Sequence, residues 1–219
     1  MTGMWGRVLD AVFPAQCAGC NAIGSGLCDA CAPPSANLAV SFDGISALAT
    51  GWYEGTLRAA ILAVKDGRRD VAAALGRRLA PLVEPGALLV PVPTTRARLR
   101  VRGADGVALV AEIAAASNGA SLVVALTQGA GDAQRGRSRT ERLAARGRFT
   151  CAAHVAGKTV TLVDDVCTTG ATLVDCAGAL RAAGATVTGA LVVAATKAER
   201  LWEPYSATST MYSSNARTS

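Results

Sequence analysis

Two hydrophobic periods alternate along the chain. Trp5, Val8, Leu9, Val12 and Phe13 fall on one helical stripe, which predicts a short amphipathic helix over 4–14 ending at Pro14. Loose alternation over 45–53 predicts a strand ending at Tyr53. Helical spacing then runs from Thr56 to Lys65, breaks at Asp66-Gly67-Arg68, and resumes through 69–83 until Pro85-Gly86. Ala87 to Pro93 is a short apolar strand stopped by two prolines, and 94–103 is a basic loop. A helix over 104–116 and a strand over 122–126 follow. Residues 134–148 are polar, basic and punctuated by Gly, and read as a mobile loop. Val160 to Val163 is a strand, 171–183 a helix stopped at Gly184, and 186–195 a strand rich in β-branched residues. Past Pro204 the chain turns Ser/Thr/Asn-rich and is expected to be disordered. Strands alternating with helices of this length predict an α/β fold with a mostly parallel sheet flanked by helices. The expected domain spans 45–200, preceded by a module at 1–34 and followed by a tail at 205–219, with Pro33-Pro34-Ser35 as the linker.

The strand at Val160 runs into two acids, Asp164 and Asp165, then Val166, Cys167 and the small-residue turn Thr168-Thr169-Gly170-Ala171-Thr172. A turn of this kind at a helix start aims several backbone N–H groups at one spot, and the helix dipole favours an anion there. Gly170 allows close backbone approach, and the threonines add hydroxyl donors. The two acids do not suit a phosphate. They suit ribose hydroxyls or a magnesium ion. Together the groups describe a site for a ribose 5-phosphate.

Seven cysteines divide into four and three. Cys17, Cys20, Cys28 and Cys31 form C-x2-C-x7-C-x2-C, a spacing that places four thiolates around one tetrahedral ion. The expectation is a structural zinc site whose metal supplies the folding free energy of a segment too small for its own core. Cys151, Cys167 and Cys176 have no metal-binding spacing and read as small core residues. Cys167 lies beside the turn, where a thiolate would be stabilised. The single histidine, His154, falls in an expected surface loop.

Composition changes the picture in two respects. At 51% hydrophobic and 17% charged the chain is globular in character, and no run approaches the roughly 18 apolar residues of a membrane span. The N-terminus has no basic region followed by an apolar stretch, so no secretory signal is expected and the chain reads as cytoplasmic. The net charge is +6, and ten arginines fall between Arg96 and Arg148 against the acids Asp105, Glu112, Asp132 and Glu141. Arginine suits bidentate phosphate contacts, so a diphosphate or polyanionic partner is favoured.

The stretch from Val160 to Thr172 resembles the PRPP-binding motif of type I phosphoribosyltransferases, with Cys167 where a bulkier apolar residue or Tyr is usual. The order of features resembles the ComF/GntX family of competence-associated, amidophosphoribosyltransferase-like proteins. Cysteine knuckles come first, then Tyr53-x-Gly55…Lys65, then Pro91-Val92-Pro93-Thr94, then Arg102-Gly103, then Gln134…Arg142…Phe149, and last the PRPP motif. The resemblance spans roughly residues 15–197. Ala104 and Asp105 stand where the family usually has an aromatic and an Asn, and its usual Asn near position 146 is also replaced.

The resemblance implies a Mg²⁺-dependent protein that binds PRPP. Asp164 and Asp165 would hold the ribose hydroxyls. The turn from Val166 to Thr172 would hold the 5-phosphate, and Pro93-Thr94 the pyrophosphate. Lys65 and Arg102 would neutralise the departing diphosphate. The acceptor is not readable. The second reading, also from the resemblance, is a single-stranded-DNA-binding competence protein that keeps the fold as a ligand sensor. The Arg96–Arg102 and Arg135–Arg148 clusters suit that reading, whereas stacking aromatics are scarce.

Overall fold

The computed structural model describes residues 14–94, 105–128 and 148–197, with the backbone of 203 and 204. The helix expected over 4–14, the basic loop from 95 with Arg102 and Gly103, the segment with Gln134 and Arg142, and the tail lie outside these residues. Along the described chain come β1 (Leu38–Phe42), β2 (Ile45–Ala49), α1 (Gly55–Lys65), α2 (Arg69–Leu79) and a 3-10 turn (Ala80–Leu82). Then follow β3 (Leu88–Pro91), α3 (Gly106–Ser117), β4 (Ser121–Leu122), β5 (Leu126–Gln128) and β6 (Phe149–Cys151). Last are β7 (Thr159–Cys167), α4 (Ala171–Ala182), β8 (Thr186–Ala195) and β9 (Glu203–Pro204).

The main sheet has the order β4-β3-β7-β8-β2-β1-β9. Its pairs from β4 to β2 are parallel, and the β2-β1 and β1-β9 pairs are antiparallel, so the expected mostly parallel α/β sheet is present. The two long central strands, β7 and β8, are nearly continuous in apolar residues because both of their faces are covered. One face carries α4, with Leu173, Cys176, Ala177 and Leu180 packed on Val160, Leu162 and Val192. The other carries α1, α2 and α3, with Leu57, Ile61, Val71, Leu75 and Val110 packed on Val163, Leu191 and Val193. Among the described residues no helix is long and apolar enough to cross a membrane.

Four elements differ from the sequence expectation. Strand β1 was not anticipated. Asp43 and Gly44 both have positive φ, 45° and 72°, and form a tight two-residue hairpin turn into β2, which stops at Ala49 rather than Tyr53. The strand expected over 122–126 is split. β4 closes the edge of the main sheet, whereas β5 joins β6 in a separate two-stranded sheet. The helix expected over 69–83 tightens into the 3-10 turn at Ala80, where Pro81 enters. Finally, β7 does not stop at Val163. It carries both acids and Val166 within the strand and ends at Cys167, paired with Ala195.

The linker at Pro33-Pro34 is fastened by a side chain. Arg78 of α2 donates to the carbonyls of Pro33 (2.7 Å) and Thr50 (2.8 Å) and to the Thr50 hydroxyl (2.8 Å). Thr50 is fully buried and donates onward to the Val193 carbonyl at 2.7 Å, so no polar atom of this joint is left without a partner.

Candidate functional site

Parallel strands end at one edge of the sheet, and ligands of such folds bind beyond those ends. Here the end of β7 brings Asp164 and Asp165 beside the turn that follows β3, because Val92 donates to the Val163 carbonyl at 2.8 Å. The last turn of α1 contributes Lys65, and the first turn of α4 contributes Thr172. These ends surround a cavity of about 210 Å³ lined by Lys65, Pro93, Thr94, Asp164, Asp165 and Thr172, all singled out from the sequence. Asp105, Gln128, Arg148 and Phe149 also line it. Those four were not assigned to the site from sequence. Phe149, which the family resemblance groups with Gln134 and Arg142, is a buried residue of β6.

Successive side chains leave a strand on opposite faces. Asp165 therefore meets the α1 layer, where its Oδ2 lies 2.9 Å from the Lys65 ammonium. Asp164 lies toward α4, and its charge helps push up the Cys176 thiol, whose main cause of shift is burial. Asp164 also accepts the Asp165 amide at 2.8 Å. Burial, and then the neighbouring Asp165 carboxylate, push the Asp164 pKa up to about 8. Asp164 is partly exposed and lines the cavity.

The folded protein thus holds the Asp164 proton between the ordinary 3.8 and about 8, where the unfolded chain has released it. Stability should fall as pH rises through that window and level off above it. Asp164→Asn should flatten this dependence in urea titrations run from about pH 5 to about pH 8. A variant with the same slope as the wild type would contradict the assignment.

The turn after β7 runs from Thr168 to Gly170, and α4 starts at Ala171, where the sequence places the helix start. Gly170 is the residue before α4 and has φ 77°, a conformation that L side chains rarely adopt. Its α-carbon also faces the Phe42 ring, and a methyl there would sit 2.3 Å from a ring carbon. Among the described residues, no protein group accepts the amides of Thr168, Gly170 or Thr172. The Thr169 hydroxyl accepts the Ala171 amide at 3.4 Å. Val166 and Cys167 lie in the strand, with Cys167 buried in the core under the turn.

Two walls of the cavity are set by contacts of a carboxylate, one ionic and one to backbone amides. Arg148 donates twice to one Asp175 oxygen, at 2.9 and 2.7 Å, which ties the β6 wall to α4. The Asp105 carboxylate caps α3 and also accepts the Thr94 amide.

Away from the cavity, the Sγ atoms of Cys17, Cys20, Cys28 and Cys31 all lie within 4.8 Å of one another. Four sulfurs tetrahedrally bonded to one zinc stand about 3.8 Å apart, and Cys20 and Cys28 are 3.7 Å apart. Amides of Cys28, Cys20 and Gly19 pull the Cys17 thiol down to about 6, while the thiols of Cys20 and Cys28 push Cys31 up to about 12. One thiolate already forms and the next is opposed, a conflict that a central dication removes. The donor set fits zinc. The module is fused to the helices. Cys17 and Leu27 belong to the α1–α3 core, Gly26 lies directly on the backbone of Asp70 and Val71, and Gly19 lies against Thr56. Arg68 bonds both Asp70 and the Gln16 carbonyl.

No curated protein matches the chain. Among solved structures it is similar to that of the allosteric regulatory enzyme of purine biosynthesis, at 24% identity and a TM-score of 0.42. That similarity covers 56% of this chain and 26% of the enzyme, so the chain spans about a quarter of that protein's length. The phosphoribosyl transferase domain matches residues 59–215, most of the 219. An α/β sheet with paired acids and a small-residue turn at its carboxyl edge agrees with that match, and the chain belongs to the phosphoribosyl transferase domain family.

Proposed function

We propose that the cavity binds PRPP and that the chain acts as a phosphoribosyltransferase on an acceptor not yet identified. One observation carries this reading. Asp164 and Asp165 lie in the last residues of β7, which runs on through Val166 and Cys167 into a turn whose amides at Thr168, Gly170 and Thr172 are unused by protein groups among the described residues. Carboxylates there suit a ribose diol, and the turn suits its 5-phosphate.

In the reaction, the C1–O bond to diphosphate breaks and its electron pair leaves with the diphosphate. The acceptor's lone pair then forms the new bond at C1. Positive charge grows on the ribose ring in between. Asp165 stabilises it electrostatically, and Asp164 joins in once it has released its proton, toward about pH 8. Lys65 pairs with Asp165 at 2.9 Å and stands beside the expected position of the diphosphate. Arg102 is assigned to the same leaving group and lies outside the described residues. The hard oxygen donors of Asp164 and Asp165 fit Mg²⁺. When bound, that ion neutralises the leaving diphosphate.

The cysteine module ahead of the transferase domain supports placing the chain with the ComF/GntX type, and with it a role in DNA uptake. The single-stranded-DNA reading rests on the Arg96–Arg102 and Arg135–Arg148 clusters, of which Arg148 is paired with Asp175.

Calorimetry with PRPP and Mg²⁺ tests the site. Wild type should bind, and Asp164→Asn/Asp165→Asn should lose about 100-fold in affinity, or about 2.7 kcal/mol. Equal binding by the double variant would refute the assignment.

A further inference from the structure

Asp105 stands where three walls of the cavity meet. One carboxylate oxygen accepts the amides of Val107 (3.0 Å) and Ala108 (3.3 Å) and so caps α3. The other accepts the amide of Thr94, at 3.1 Å, in the turn after β3. The next residue, Gly106, presses on the end of α1. A methyl at Gly106 would lie 2.5 Å from a methyl carbon of Val64, the neighbour of Lys65. Residues 94 and 105 also bracket the segment that carries Arg96, Arg98, Arg100 and Arg102.

We propose that Asp105 is the positioning residue of the diphosphate side of the site: its two oxygens lock the Pro93–Thr94 turn to the start of α3. Through α3 it sets that turn against Lys65. The proposal rests on the PRPP reading given above. A neutral cap would serve α3 equally well. A serine hydroxyl or an asparagine amide offers one acceptor oxygen, though, and neither can hold the helix amides and Thr94 together. The carboxylate is itself a cavity-lining anion near the expected diphosphate. Its contribution to binding is therefore geometric, since its charge opposes the ligand.

Asp105→Ser separates the two tasks, because serine keeps the cap and drops the link to Thr94. Calorimetry would compare PRPP with Mg²⁺ and ribose 5-phosphate, which lacks the diphosphate, on wild type and variant. The thermal midpoint and the ribose 5-phosphate affinity should stay close to wild type. The PRPP affinity should fall about tenfold, the worth of one well-placed hydrogen bond. Asp105→Asn, which retains one of the two links, should show the same selective loss and covers the case in which the serine variant fails to fold. Unchanged PRPP affinity in both variants overturns the proposal. So does an equal loss for both ligands, which would mark a general structural defect. If wild-type protein binds neither ligand, the PRPP reading itself fails, an outcome distinct from either of these.

Discussion

Stripping the metal from the four-cysteine module should lower the thermal midpoint of the whole chain. Structural zinc sites of this donor type contribute on the order of 10 kcal/mol at neutral pH, comparable to the total stability of a small domain. The module has no core of its own. Cys17 and Leu27 are buried in the same cluster as Leu57, Ile61, Val71 and Leu75. Loss of the module therefore exposes the outer faces of α1 and α2, and the damage spreads beyond the knuckles. Protein purified without chelator should contain one zinc per chain, and strong chelation should shift the calorimetric midpoint downward. Cys17→Ser should mimic chelation, since its sulfur also receives the amides of Gly19 and Cys28. A midpoint indifferent to chelation, with the four thiols still reduced, would remove the zinc assignment.

Gly170→Ala should abolish detectable binding of PRPP and lower stability by about 2–4 kcal/mol. Two separate faults combine. The backbone at φ 77° is unfavourable for alanine, and the added methyl drives into Phe42, a buried core residue. Either response, a flipped turn or a displaced ring, moves the amides that begin α4. Adding Phe42→Ala to the variant removes the clash and leaves the backbone strain. The double variant should bind more strongly than Gly170→Ala alone and less strongly than wild type, by calorimetry. Wild-type affinity in Gly170→Ala would mean that the turn does not hold the phosphate.

The sequence made the parallel sheet legible because β-branched runs such as Thr186–Ala195 alternate with helices stopped by Gly184 or Asp66-Gly67. The acids and the turn were legible because their chemistry sits in one contiguous stretch. What escaped was set by distant contacts. Strand β1 is short, and its register depends on pairing with β2 through a turn whose Asp-Gly signal was present at 43–44. The strand was expected to end before the acids because carboxylates are poor strand formers. Pairing with Val192 to Ala195 carries the ladder past them to Cys167. The Lys65–Asp165 contact joins residues far apart in the chain, and no local pattern encodes it. Arg148 and Gln128 reach the cavity because β5 and β6 pair with each other instead of joining the main sheet. Asp105 looked like a departure from the family's Asn. Only the fold reveals that its second oxygen has work at Thr94.

Helix α1 starts beside the cysteine knuckles, where Gly19 touches Thr56, and finishes at the lysine facing the acids. Its eleven residues make a strut about 16 Å long. Loosening the anchored end should tilt the far one, so chelation of zinc from the knuckles should weaken ligand binding at the distant lysine as well as lower stability.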